Sequence, residues 1–157
     1  MNQAFTHRRR FFGIVPARTK TGTMKKLHNK SILIIDDDAG MLRALDKVLT
    51  GEGATVTCAD CAADAMEILT ARQKRMDLVI TDLRMPFVTG LTVLYAIHEI
   101  FPALPVIVLT AFGSPDVKAE CLSQGAAGIL EKPLETPQLL AAIEDVFSPR
   151  KSVAGTA

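Results

Sequence analysis

Four short apolar runs in this sequence each end on a residue suited to metal or phosphoryl chemistry. Ser31-Ile32-Leu33-Ile34-Ile35 runs into Asp36, Asp37 and Asp38, and Leu78-Val79-Ile80-Thr81 into Asp82. Pro105-Val106-Ile107-Val108-Leu109 runs into Thr110, and Gly128-Ile129-Leu130-Glu131 into Lys132. Clustered carboxylates repel, so a row of them is stable when a cation neutralises it or a proton stays bound. Mg2+ suits such a cluster: it takes oxygen ligands, keeps several waters, and often combines one or two carboxylates with phosphate oxygens. Asp82 can serve as metal ligand or as nucleophile, because a carboxylate can accept a phosphoryl group. A metal beside it lowers its repulsion of the incoming anion. Lys132 offers a point charge, and Thr110 a hydroxyl, to phosphoryl oxygens. Taken singly these residues say little; an acidic triplet also suits the first turn of a helix, whose dipole favours negative charge. They gain meaning if the fold brings them together.

The elements that would do so are written in alternating apolar patterns. Strands are predicted over 31–36, 54–58, 78–82, 106–110 and 127–131. A helix over 39–51 places Met41, Leu42, Leu45, Val48 and Leu49 at helical spacing. A second covers 62–71, with Ala65, Met66, Ile68 and Leu69 inward, and a third covers 91–101, with Leu91, Leu94, Ile97 and His98 inward. Ser114 caps a fourth, with Pro115 at its first position, where a missing N–H costs nothing, and Gly125 ends it. Thr136 is expected to cap a fifth opened by Pro137, with Leu139, Leu140, Ile143, Val146 and Phe147 as its apolar stripe. Five strands alternating with five helices predict an α/β fold: (βα)5, a doubly wound five-stranded parallel sheet covered on both faces. In such a sheet the carboxyl ends of the strands share one edge, and ligands bind there.

Composition narrows the classes. The chain has 157 residues, enough for one domain with its own core, and no apolar run approaches a membrane span. A formal net charge of +1 hides an asymmetry: residues 1–28 hold seven of the eighteen basic residues and no acid. The remainder sets eleven bases against seventeen acids, a formal net of −6, which argues against DNA binding by the globular part. The expected organisation is therefore a basic, disordered extension over 1–28, a domain over 29–148 and a disordered tail over 149–157. Arg8-Arg9-Arg10-Phe11-Phe12 imitates an export signal, but Pro16 and Arg18 break the apolar stretch that follows. Met24 offers a plausible internal start. Cys58, Cys61 and Cys121 are few and odd in number, as expected of reduced thiols in a cytoplasm. Cys58-Ala59-Asp60-Cys61 has redox spacing but sits at a strand-to-helix turn, where small residues pack, and His7, His28 and His98 have no metal spacing.

With these motifs in order, residues 30–147 resemble a response-regulator receiver domain of bacterial two-component signalling, a flavodoxin-like fold. The resemblance rests on the acidic doublet after the first strand, Asp82-Leu83-Arg84-Met85-Pro86 with Gly90, Thr110-Ala111, and Lys132-Pro133. It implies that Asp82 is the phosphoacceptor, and that Asp37, Asp82 and the backbone carbonyl of Arg84 bind Mg2+ directly, with Asp36 acting through water. It implies that Thr110 and Lys132 hold the phosphoryl group, and that the Lys132–Pro133 bond is cis. The donor would be a phosphohistidine on a sensor histidine kinase or a histidine phosphotransfer protein, and the output an unidentified partner protein bound at a switching face. Residues after the last helix leave no room for a DNA-binding or catalytic output domain, so a stand-alone receiver is expected, one that assists its own phosphorylation but turns over no metabolite. One departure stands out: Ile129 occupies the position where many receivers carry a switching Tyr or Phe. Phe112, two residues past Thr110, is expected near the site, slowing attack by water. Three other readings compete. A haloacid-dehalogenase-type phosphatase would use Asp36-x-Asp38 but needs an acidic motif after the lysine strand. A flavin binder would need a phosphate-cradling loop where three aspartates stand. A phosphorylation-independent interaction module would not use Asp82 at all.

Overall fold

Ser31–Ile35 forms the first strand, β1, followed by α1 (Ala39–Gly51), β2 (Thr55–Ala59), α2 (Ala62–Thr70) and β3 (Leu78–Asp82). The alternation continues through α3 (Gly90–Ile100), β4 (Val106–Thr110), α4 (Pro115–Ser123), β5 (Gly128–Glu131) and α5 (Thr136–Phe147). This computed structural model describes residues 26–71 and 75–148; the expectations for the extension up to residue 25 and for the tail 149–157 lie outside the described residues. The strands form one parallel sheet in the order β2-β1-β3-β4-β5, the doubly wound arrangement expected of (βα)5.

Successive side chains of a strand point to opposite faces, and the core divides accordingly. Leu33, Ile35, Val79, Val106 and Val108 meet Ala65, Leu69, Val93, Leu94, Ile97 and Cys121 of α2, α3 and α4. Ile32, Ile34, Leu78, Ile80, Ile107 and Leu109 meet Leu45 and Leu49 of α1 and Leu139, Leu140 and Ile143 of α5. Burying each large aliphatic side chain contributes about 1.5–3 kcal/mol. The central β3 and β4 are buried at every residue, whereas the edge strand β2 (Thr-Val-Thr-Cys-Ala) is mostly exposed or half-buried. Continuous two-sided cover therefore holds for the middle of the sheet and lapses at its edges.

The helix ends follow the capping residues with one exception. Asp38 Oδ1 accepts from the backbone N–H of Gly40 (2.7 Å) and Met41 (3.1 Å), capping α1. Ser114 Oγ accepts from Val117 N at 3.3 Å, and α4 gives way to Gly125 at φ +89°. Thr136, expected to cap α5, is instead its first helical residue; Glu135 stands at the cap without a side-chain bond, and the Leu139 N–H reaches the Glu135 carbonyl at 3.0 Å. The missing N–H of Pro137 costs nothing one position further in, because the first four N–H groups of a helix all lack intrahelical partners. The α3 stripe is also turned from expectation. Gly90, Val93, Leu94 and Ile97 are buried, while Leu91 and His98 are half-buried.

Leu27, which lies ahead of the expected domain start at residue 29, packs with the domain. It is 1% exposed, belongs to the core cluster shared with α1 and α5, and donates its N–H to the Glu52 carbonyl at 3.0 Å. Flanking basic residues disguise it in the sequence.

Candidate functional site

The parallel sheet carries the ends of β1, β3, β4 and β5 to one edge. Asp36 continues β1, Asp82 ends β3, Thr110 ends β4 and Lys132 follows β5. Asp36, Asp82 and Thr110 are the only charged or polar residues besides Thr81 that are buried among the described residues. Lys132 Nζ lies 2.9 Å from Asp36 Oδ2 and 2.8 Å from Asp82 Oδ1, so one ammonium bridges two carboxylates. The Lys132–Pro133 peptide is cis.

Backbone donors fix the carboxylates further. Asp36 Oδ1 accepts from Asp38 N at 2.9 Å, and Asp82 Oδ2 accepts from Arg84 N at 3.0 Å. Carboxylate oxygens of Asp36, Asp37 and Asp82 all come within 4.8 Å of one another, a set of hard oxygen donors that fits Mg2+. Asp38 leaves this group: its carboxylate turns to the start of α1, whose Met41 and Gly40 N–H groups hold it below the usual carboxylate range. The acidic triplet thus splits into two site residues and a cap. Burial pulls the Lys132 ammonium down, but its hydrogen bonds to Asp82 and Asp36 prevail and leave it above the ordinary lysine value.

Thr110 Oγ1 accepts from Phe112 N at 3.2 Å, which leaves its own hydrogen free to donate. Lys132 N donates to the Thr110 carbonyl at 2.8 Å, joining the ends of β4 and β5. Gly90 closes the β3–α3 loop against the site. Its N–H donates to the Leu83 carbonyl at 2.7 Å, and a Cβ there would stand 2.3 Å from the Asp82 carbonyl oxygen. Only glycine admits so close an approach, which accounts for Gly90 as a positioning residue beyond its place in the motif.

Two features escaped sequence reading. The Arg84 guanidinium lies over the Phe112 ring, 4.7 Å from its centroid, linking the β3–α3 and β4–α4 loops across the edge of the site. Lys118 pairs with Glu131 at 2.6 Å, an exposed bridge from α4 to β5. Neither shows in a short motif, because each joins loops or elements far apart in the chain. Away from this edge, Cys58 is exposed, Cys61 half-buried and Cys121 buried, and all are free thiols. Burial raises the Cys121 and Cys58 thiols above their ordinary values. Asp60, Cys61 and Asp64 also approach within 4.8 Å, on an exposed turn. No helix among the described residues is long and apolar enough to cross a membrane.

A parallel sheet of this order, with acids, a hydroxyl and a lysine on its carboxyl edge, is a receiver architecture. Residues 32–144 match the response regulator receiver domain family, and the chain belongs to that family. It is 40% identical over 117 residues to the transcriptional regulatory protein GlrR of Escherichia coli K12, an alignment covering 74% of this chain and 26% of that one. It is 34% identical over 114 residues to the DNA-binding transcriptional regulator NtrC of Proteus hauseri, covering 73% and 24%. The chain therefore spans about a quarter of the length of these curated relatives. A response regulator receiver domain protein from Clostridium thermocellum superimposes with a TM-score of 0.70 at 32% identity, covering 74% of this chain and 93% of that one. Receiver domains are signalling domains of two-component systems that work with histidine kinases, are phosphorylated on aspartate and bind Mg2+ at the acidic site.

Proposed function

We propose that Asp82 accepts a phosphoryl group from a phosphohistidine on a sensor kinase or phosphotransfer protein, and that the phosphorylated domain binds an output partner through a switched face. The observation that carries this reading is the bridge from Lys132 to Asp36 and Asp82 beside Asp37. Asp36, Asp37, Asp82 and the Arg84 carbonyl would hold Mg2+, with Asp36 acting through water. Bound there, the ion offsets the charge of the carboxylates and of the incoming phosphoryl group.

In the transfer, an Asp82 carboxylate oxygen bonds to phosphorus as the bond from phosphorus to the donor imidazole nitrogen breaks. The electron pair stays on that nitrogen, which takes up a proton. Lys132 then exchanges its Asp82 partner for a phosphoryl oxygen while keeping Asp36, and the Thr110 hydroxyl donates to another oxygen. These are charge-assisted contacts, stronger than neutral hydrogen bonds. Ile129, half-buried against the α2–α3–α4 core, offers an aliphatic group for repacking when Thr110 moves.

The test is mass spectrometry after incubation with acetyl phosphate and Mg2+. The expected result is a hydroxylamine-labile gain of one phosphate on Asp82, abolished in Asp82→Asn. No gain, or a gain elsewhere, overturns the reading and favours a module that binds partners without phosphorylation.

A further inference from the structure

We propose that Phe87 is an apolar anchor for the protein that delivers the phosphoryl group; this rests on the reading of Asp82 as acceptor. The loop from Leu83 to Thr89 leaves β3 at Asp82 and is drawn shut by a bridge between Arg84 and Thr89, the Gly90–Leu83 bond, and a bond from Val88 N to the Pro86 carbonyl at 2.8 Å. Met85 and Val88 turn inward and pack on the core, so the loop is fastened on both sides of Phe87. Phe87 itself is fully exposed, at 106% of the reference area, and holds φ at +68°.

The fold does not explain this residue. A bulky side chain at positive φ is strained, and a solvated ring returns none of the free energy that burial would give. Glycine or asparagine would suit the position better. Single exposed apolar residues are common, but one that is both strained and displayed from a fastened loop beside a reactive group calls for a partner.

The geometry of transfer names that partner. Asp82 is 6% exposed, and a phosphohistidine projects from its protein by no more than an imidazole side chain. The donor's backbone must therefore come down onto the loops that rim Asp82, and the Leu83–Thr89 loop begins at that residue. Aromatic side chains at the centre of an interface commonly dominate its binding energy. Phe112, on the neighbouring loop, is 75% exposed and already engaged by Arg84, which leaves Phe87 as the ring free to enter the donor. The occupant is thus a protein whose phosphohistidine is flanked by an apolar surface. A small donor such as acetyl phosphate has no such surface.

The experiment compares two donors: acetyl phosphate, and the autophosphorylated kinase that labels the full-length chain fastest in a panel of purified sensor kinases. Phe87→Gly and Phe87→Asn are expected to lower kcat/KM for transfer from the kinase about thirtyfold, the scale of an interface hot spot, and Phe87→Tyr to retain it. Labelling by acetyl phosphate should be unchanged, and melting temperatures no lower than that of the parent. Unchanged kinase transfer, a parallel fall with acetyl phosphate, or a panel without any transfer overturns the inference while leaving Asp82 as acceptor. If sedimentation shows a dimer that Phe87→Gly dissociates, a second copy covers the ring and the inference is likewise overturned. Failure of acetyl phosphate to label the parent would remove the acceptor reading itself, and the inference with it.

Discussion

At Lys132 one ammonium faces two carboxylates, and what it does there depends on what else is bound. Removing it leaves Asp36, 1% exposed, and Asp82 without a positive partner. Breaking a buried pair in this way costs about 3–5 kcal/mol when the site is fully enclosed. The lysine side chain is 19% exposed, so Lys132→Met is expected to lose nearer ~2 kcal/mol by urea denaturation, and to regain part of it in Mg2+. An equal loss with and without Mg2+ would mean that the lysine and the ion do not share these carboxylates. Phe112 is the second residue-scale case. Its ring carries the Arg84 guanidinium, a contact worth about 0.5–1 kcal/mol at an exposed site. If the pair slows attacking water, Phe112→Ala should shorten the aspartyl phosphate lifetime by about two- to fivefold. An unchanged lifetime would show that the pair is only structural.

Among the elements, α1 shows how a side chain's role turns on where a helix begins. Asp36, Asp37 and Asp38 are indistinguishable as letters, yet only Asp38 stands at the cap, because the helical backbone starts at Ala39. Its carboxyl is held below its unfolded value by the Met41 and Gly40 N–H groups. A depressed folded value means that the stabilisation is present above the unfolded carboxyl value, about 3.9, and is lost as pH falls through the lower folded one. Asp38→Asn caps a helix equally well without titrating, so its melting temperature should fall less steeply on acidification than the parent's. An identical acid limb in both would assign the pH dependence to other groups. The loops were less legible than the helices. The motif marks Gly90, but that its hydrogen must face the Asp82 carbonyl follows only from the closed β3–α3 loop.

For the whole molecule, the alternation of apolar runs was enough to predict the sheet and the edge on which the four candidate site side chains gather. This worked because the central strands, β1, β3 and β4, are buried from both sides and so must be written in Ile, Leu and Val. The bridge from Asp36 to Lys132, 96 residues apart, was legible only through that topology. Leu27 was not legible: it is one apolar residue within a basic stretch, and its value comes from the core cluster shared with α1 and α5 that it joins. Leu27→Ala is expected to destabilise the domain by about 2–5 kcal/mol in denaturant titrations, as for other buried leucines. A smaller loss, under about 1 kcal/mol, would place the segment outside the cooperative unit.

The same segment shows how cargo would ride on this domain. Lys26 Nζ pairs with Glu144 at 2.7 Å, and Lys30 Nζ lies 4.4 Å from the Phe147 ring centroid, so the incoming chain runs beside the last turns of α5. Both doors open at the rear of the sheet, a strand's length of ~17 Å behind the acidic pocket. Residues 26 and 148, where the described domain begins and ends, therefore lie on the same side of the sheet, opposite Asp82.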